Sequence, residues 1–309
     1  MKVINFMGQR KLAMLFSLLL LVVSIGSLAT RQLDWGLDFT GGTLVEVHYS
    51  ASVSLTQIRS TLESRGFAGA TVVSFGSDQD VMIRLPQGYT DKQGDELLGI
   101  LQETYVATEP NGTVELRRSE FVGPQVGDEL REQGGLAMLL ALGLVTLYVA
   151  FRFQLKFALG SVAALAHDVI ITLGFFSVTG MEFDLTVLAA LMAVIGYSLN
   201  DTIVVFDRIR ENFLKIRRAE PSEVLNISIT ETLDRTLVTS GTTLLVVIAL
   251  ALFGGEMIFG FAITLIVGIT IGTYSSIYVA SAAALMMGVT KEDLMLPVKE
   301  GAEQEDLTP

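Results

Sequence analysis

Apolar runs separated by short polar connections dominate the chain. Six of them approach the roughly 20 helical residues that cross about 30 Å of hydrocarbon at about 1.5 Å per residue. The first occupies 12–29, and the other five lie at 134–151, 157–179, 185–206, 236–253 and 258–287. The pattern predicts six transmembrane helices, the last long enough to tilt or project beyond the bilayer. For the first run the alternative is a cleaved signal peptide, with Ser27, Leu28 and Ala29 as a small-residue cleavage site. The run outlasts the apolar core of such a peptide, however, and an uncleaved helix gives a consistent inside-out alternation.

Between the first and second runs lies a polar block, 31–133, whose periodicity changes from segment to segment. Leu44, Val45, Val47 and Tyr49 read as a strand, and Ser54 is placed to cap a helix with Leu55, Ile58 and Leu62 on one face. Segments 71–75 and 81–85 read as strands around the turn-forming Gly76, Ser77 and Asp78. Thr90 opens a second helix carrying Leu97, Leu98 and Leu101, and 114–121 closes as a strand. The order βαββαβ is that of a ferredoxin-like α+β domain. No nucleophile-base pair or phosphate loop stands out in it, so a binding or lever module is expected rather than a catalytic one.

Lys and Arg set the orientation. Lys2, Arg10 and Lys11 precede the first span, and Arg152 and Lys156 lie between the second and third. Arg208, Arg210, Lys215, Arg217, Arg218 and Arg235 lie in the 207–235 loop, and Lys291 and Lys299 in the tail 288–309. The short connections on the other side, 182–184 and 254–256, hold none. Both termini are therefore expected in the cytoplasm and the 31–133 domain outside it. Within the 207–235 loop, Pro221, Ser222 and Glu223 form a helix start, with Leu225, Ile229 and Leu233 apolar. The reading of 221–233 is a helix lying along the membrane surface.

Composition removes several function classes. Of the 309 residues 50% are hydrophobic and 17% charged, and the mean hydropathy is +0.54; a soluble single-core enzyme does not look like this. A net charge of -12 argues against a nucleic-acid partner. The absence of cysteine excludes disulfides, thiol catalysis and Cys-ligated metals, and two histidines make no His-rich metal site. No cofactor, metal or enzymatic activity is expected.

Ionisable groups inside spans are costly and mark functional candidates. Asp201 lies five residues before the end of the fourth run, with Tyr197 and Ser198 a turn earlier and Asn200 beside it. Ala189, Ala193, Gly196 and Asn200 form a strip that permits close helix contact. His167 and Asp168 sit near the centre of the third span. Arg235 opens the fifth span on the face of Thr239, Thr242 and Thr243. A carboxylate raised toward neutrality by apolar surroundings and lowered by a nearby cation can take a proton from one side and release it to the other. The alternative for Asp201 and Asp168 is a satisfied structural hydrogen bond, and for Arg235 an anchor at the membrane surface. Small residues recur every four positions along the sixth span: Gly260, Thr264, Gly268, Gly272, Ser276, Ala280, Ala284 and Gly288. They form a packing seam whose partner lies in this chain or another.

One span, an outer domain and five further spans, together with four runs, resemble the SecF family of the bacterial SecD-SecF protein-export complex. The runs are GLDFTGG at 36–42, HDVIITLG at 167–174, GYSLNDTIVVFDRIREN at 196–212 and TLDRTLVTSGTT at 232–243. The resemblance implies half of an RND-type transporter in the bacterial inner membrane, with the 31–133 domain periplasmic. It would act with SecD and the proton-motive force on secretory precursor proteins that emerge from the SecYEG translocon and its accessory subunits. It implies a proton relay through Asp201 and Arg235, support from Asp168, a family motif at Asp38, Gly41 and Gly42, and protons as the coupling ion. Two alternatives remain: a stand-alone RND-type exporter of small molecules or lipids, and a scaffold of the translocon that transports nothing.

Overall fold

A computed structural model of the chain describes residues 3–86, 91–152, 155–216 and 218–289, without the side chains at 91–95, 108 and 256. The helix start expected at Thr90, the basic residues Lys2, Arg217, Lys291 and Lys299, and the tail beyond 289 lie outside the described residues.

Helix α1 (Arg10–Thr30) carries the first apolar run and leads through strand β1 (Asp34–Trp35) and the short helix α2 (Leu37–Thr40) into the α+β domain. The domain consists of β2 (Gly42–Tyr49), α3 (Leu55–Ser64), β3 (Thr71–Phe75), β4 (Ser77–Leu85), α4 (Asp91–Thr108) and β5 (Val114–Val122). The sheet order is β3-β4-β2-β5 with antiparallel neighbours, the ferredoxin-like arrangement. Alternation along β2 sends Val45, Val47 and Tyr49 to the helices, where they bury with Ile58, Leu62, Leu97 and Leu101. Ser54 occupies the N-cap of α3, although its hydroxyl makes no capping bond.

The opposite face of β2 carries Glu46, which is 8% exposed; burial pushes its carboxyl above the usual range, partly offset by Arg118. On the next strand Asp80 is held below its usual range by hydrogen bonds from Ser77 and His48. The two act with opposite sign. Glu46 penalises the fold at high pH, and the penalty fades as the pH falls toward its unfolded value of 4.5. Asp80 stabilises above its unfolded value of 3.8, and that contribution is lost as the pH falls through its lower folded value. Protease resistance of the domain in the solubilised chain is therefore expected to rise as the pH falls toward 4.5, and to fall again as it drops below 3.8. Glu46→Gln should flatten the upper limb and Asp80→Asn the lower one.

Helices α5 (Pro124–Arg152), α6 (Leu155–Thr179), α7 (Leu185–Lys215), α8 (Pro221–Phe253) and α9 (Glu256–Ser275) follow, with the short strand β6 (Glu182–Phe183) between α6 and α7. A π-helical turn, Ser276–Ala280, joins α9 to α10 (Ser281–Met286), so the sixth span is one interrupted rod. Among the described residues six helices are thus long and apolar enough to cross a membrane, and the chain is a multi-pass membrane protein. Helices α6 and α7 form the centre of the bundle, whereas α1, α5 and α8 present long apolar side chains outward, as lipid-facing helices do.

Two expectations about helix limits change. The second-span helix begins at Pro124, not at 134, because Pro supplies a ready first position and the polar 125–133 stretch contains no breaker in its interior strong enough to stop propagation. The segment 221–233 is not a separate surface helix. It is the first part of α8, which runs unbroken to Phe253, since Asp234 and Arg235 interrupt the apolar pattern without interrupting the helix. Its apolar residues Val224, Leu225 and Ile229 bury against Ile209, Phe213, Phe6 and Met7 of this chain, not against lipid.

The small-residue stripe of the sixth span finds its partners within the chain. A Cβ on Gly268 would meet Val194 of α7 at 2.2 Å and one on Gly272 would meet Ser198 at 3.0 Å. Beyond the π turn the contact passes to α6, where Gly160 lies against the backbone of Ala280 and Ala284. Drift of the stripe around the rod moves the seam from one neighbour to the next.

The GLDFTGG run forms the joint between domain and bundle. Asp38 accepts a hydrogen bond from the Leu185 backbone N–H at 3.0 Å, capping α7 from a distant segment. Gly41 has φ +66° and Gly42 φ +130°, where side chains are disfavoured. Strands β1 and β6 pair in parallel, and Trp35, Phe39, Phe176 and Phe183 pack together with Arg131 stacked 4.5 Å over Trp35. Arg84 of β4 forms an ion pair with Glu182 of β6.

Candidate functional site

Four neighbouring helices frame two carboxylates in the bundle interior. Asp201 on α7 is 3% exposed. It accepts one long hydrogen bond, 3.4 Å, from Ser240 of α8, whose hydroxyl also lies 2.7 Å from that of Thr273 on α9. Asp168 on α6 is 1% exposed and well supplied. Its Oδ2 accepts from Ser198 of α7 at 2.5 Å and Ser275 of α9 at 2.7 Å, and its Oδ1 lies 2.9 Å from His167 Nδ1. Ser198 and Asp201 are one turn apart on α7, and Thr273 and Ser275 are two residues apart on α9, so the two clusters share both helices.

Unused hydrogen-bonding capacity lies on the same helices. His167 Nε2, the Tyr197 hydroxyl and the Thr236 hydroxyl are buried without a partner among the described residues. Such groups are uncommon in native interiors and mark sites that accept protons or polar guests. The His167 ring stacks on Tyr274, whose hydroxyl donates to the Ala13 carbonyl of α1 at 2.6 Å. The π turn begins one residue after Ser275, and π turns of this kind accompany functional sites in helices.

The other polar residues expected at this site face away from it. Asn200, Arg235 and Thr242 are exposed, and Thr239 and Thr243 are half-buried. The three threonine hydroxyls bond carbonyls one turn back on α8. Among the described residues no carboxylate lies within the 4.0 Å of an ion pair with Arg235, although its charge reaches Asp201 through space. The strip of Ala189, Ala193, Gly196 and Asn200 is likewise exposed, and a Cβ on Gly196 would meet nothing within 4 Å. Among the described residues nothing makes close helix contact across this strip at Gly196. Ser240, Thr273, Tyr274 and Ser275 are the site residues that sequence reading did not single out. The run Thr273-Tyr274-Ser275-Ser276, four polar residues inside an apolar span, was the available signal.

Comparison with known proteins places this geometry. The family model described as the C-terminal part of protein export membrane protein SecD/SecF matches residues 102–290, and that of the SecD/SecF GG motif matches 26–53. The chain is 54% identical to protein translocase subunit SecF of Vibrio alginolyticus over 99% of its own length and 97% of that protein's. This chain belongs to the SecF family. The SecF of Pseudomonas aeruginosa is 51% identical, over 95% of this chain and 94% of that protein. The crystal structure of SecDF from Thermus thermophilus, a translocon-associated membrane protein, superposes with a TM-score of 0.83 at 38% identity, over 93% of this chain. The super-membrane-facing form of SecDF gives 0.69 at 40% identity. In both cases this chain spans 39% of the SecDF chain. The segment matched by the GG-motif model, 26–53, contains Gly41 and Gly42, the two glycines at the joint between domain and bundle.

Proposed function

We propose that the chain is a SecF-type subunit that works with SecD, using the proton-motive force to drive late steps of secretory-protein translocation across the bacterial inner membrane. In this reading the termini are cytoplasmic, the α+β domain is periplasmic, and precursors arrive from SecYEG and its accessory subunits. The chain acts as a coupling subunit rather than an enzyme, with protons in place of a cofactor.

One observation carries the reading: the carboxylate of Asp201 is buried, while Asn200 beside it on α7 and Arg235 and Thr242 on α8 are exposed in otherwise apolar helices. A carboxamide inside a span, with a guanidinium where the neighbouring span begins, is an unfavourable surface to leave to lipid alone. A second six-span half, supplied by SecD, would cover them, and the flat strip at Ala189, Ala193 and Gly196 lets its helices approach. Closing that interface puts Arg235 and Asp201 in a shielded space, where protonation of Asp201 alters the charge balance between the halves.

The test is at Gly196. Gly196→Leu adds a branched side chain where the chain itself offers open space, so the substituted subunit should accumulate normally. SecD co-purification is expected to fall at least about fivefold, since overpacking costs about 1–3 kcal/mol. Undiminished co-purification would remove this face as the SecD contact. Recovery of a homodimer without SecD would favour the stand-alone exporter.

A further inference from the structure

We infer that Asp168 is a positioning residue: it sets the geometry of the Asp201 cluster by clamping α6, α7 and α9 through Ser198 and Ser275. The inference rests on the proposed role of Asp201 and adds a residue through which that role is prepared.

The two carboxylates differ in how the chain treats them. Asp201 holds a single hydrogen bond at 3.4 Å, the weak end of the range, which leaves its oxygens available. Asp168 has three contacts at 2.5–2.9 Å, accepting from serines of two other helices and lying against His167 Nδ1 of its own. A carboxylate supplied in this way is a fixed acceptor. Exchanging protons would require it to surrender contacts that hold three helices together.

Position gives those contacts their consequence. Ser198 lies one turn before Asp201, and a Cβ on Gly272 would meet Ser198 at 3.0 Å, so α7 and α9 touch closely at this point. Ser275 lies two residues after Thr273, which contacts Ser240, the partner of Asp201. Pulling Ser198 and Ser275 onto one oxygen, Asp168 Oδ2, fixes the register of α7 against α9 and so the distance from Asp201 to Ser240 and Thr273. Just beyond Ser275 the π turn relaxes the helix, and without the clamp this is where the rod is freest to slip.

The amide of Asp168→Asn can reproduce the network. Its oxygen can accept from both serines, and its NH2 can donate to His167 Nδ1 once the neutral imidazole carries its proton on Nε2. Asp168→Leu keeps the bulk and removes every acceptor.

The chain has no cysteine, so an introduced pair reports alone. Ser240→Cys with Thr273→Cys, whose native hydroxyls are 2.7 Å apart, reads the Asp201 cluster. Ser27→Cys with Ser177→Cys, native hydroxyls 2.8 Å apart, reads the remote contact of α1 with α6. Disulfide formation is followed in membranes for each pair, and export is followed in the cysteine-free background. With Asp168→Leu, crosslinking at the first pair is expected to slow about fivefold, the loss of about one net hydrogen bond, while the second pair keeps its rate. With Asp168→Asn, both rates and export should stay within about twofold of the parent.

An unchanged first-pair rate in Asp168→Leu overturns the inference, and so does equal slowing of both pairs, which would mean general loosening. Abolished export in Asp168→Asn with normal crosslinking also overturns it, because Asp168 would then be a proton carrier. First-pair slowing with undiminished export leaves the clamp standing and removes the proposed role of the Asp201 geometry. If Asp168→Leu does not accumulate, Ser275→Ala takes its place with the same expected rates, and a parental first-pair rate there overturns the inference.

Discussion

Asp201→Asn is expected to lower secretory-precursor export at least about tenfold while the subunit accumulates normally and still co-purifies with SecD. The substitution changes almost nothing except the titratable proton. The amide has the shape of the carboxylate, and its oxygen accepts from Ser240 as the carboxylate does. Removing a buried charge that has one long hydrogen bond does not threaten the fold, since the charge was costly to bury. The measurement is precursor processing in cells depleted of their own SecF and supplied with the parent or the variant. Restored export by the variant would sink the relay and leave a scaffold role. Lost export with lost abundance would be a folding defect, which the near-isosteric change makes an unexpected result.

Gly42→Val is expected to produce the largest loss of stability, about 3–5 kcal/mol, because two penalties coincide. The backbone there has φ +130°, and a Cβ would lie 2.4 Å from the Leu85 carbonyl oxygen, a backbone atom in the neighbouring strand that has nowhere to retreat. Gly42 is also the first residue of β2, paired with Val122, so relieving the clash breaks the central ladder at its start. Gly66→Ala is the control: φ is +96° but nothing lies within 4 Å, and the expected cost is only about 1 kcal/mol. Thermal unfolding of the purified chains would separate the two, and equal midpoints would show that the joint yields more than its geometry allows.

The sequence made the architecture readable because hydropathy windows report length and polarity, and those two quantities fix a span. Alternation and turn residues did the same for the α+β domain, down to the order of its strands. Which way a polar residue points is a matter of phase, and a window averages phase away. Whether Arg235 meets Asp201 or a neighbouring subunit is therefore open in the sequence, and the fold turns Arg235 to the surface and Asp201 to the interior. Ser240 and Ser275 escape the sequence for another reason. In apolar helices Ser and Thr usually bond their own carbonyls, as Thr239, Thr242, Thr243 and Thr264 do here. Only the folded neighbour reveals that Ser240 and Ser275, like Ser198, also reach across to another helix. The continuous α8 escaped because a charged Asp234-Arg235 pair looks like a boundary in polarity while offering no obstacle to helix geometry.

Only Gly123 separates strand β5 from helix α5, and only Gly41 separates α2 from strand β2, its immediate neighbour in the sheet. Entry and exit of the α+β domain thus lie side by side with no slack in either. The domain behaves as a crank keyed to its shaft: when α5 tilts, the sheet must turn with it about the paired ends of β2 and β5. The Arg84–Glu182 pair and the β1–β6 bridge add a second bearing, on the α6–α7 turn. Displacements of a few tenths of an ångström among helices would then emerge at the far edge of the domain enlarged by its radius, a mechanical gain that a flexible linker would have dissipated.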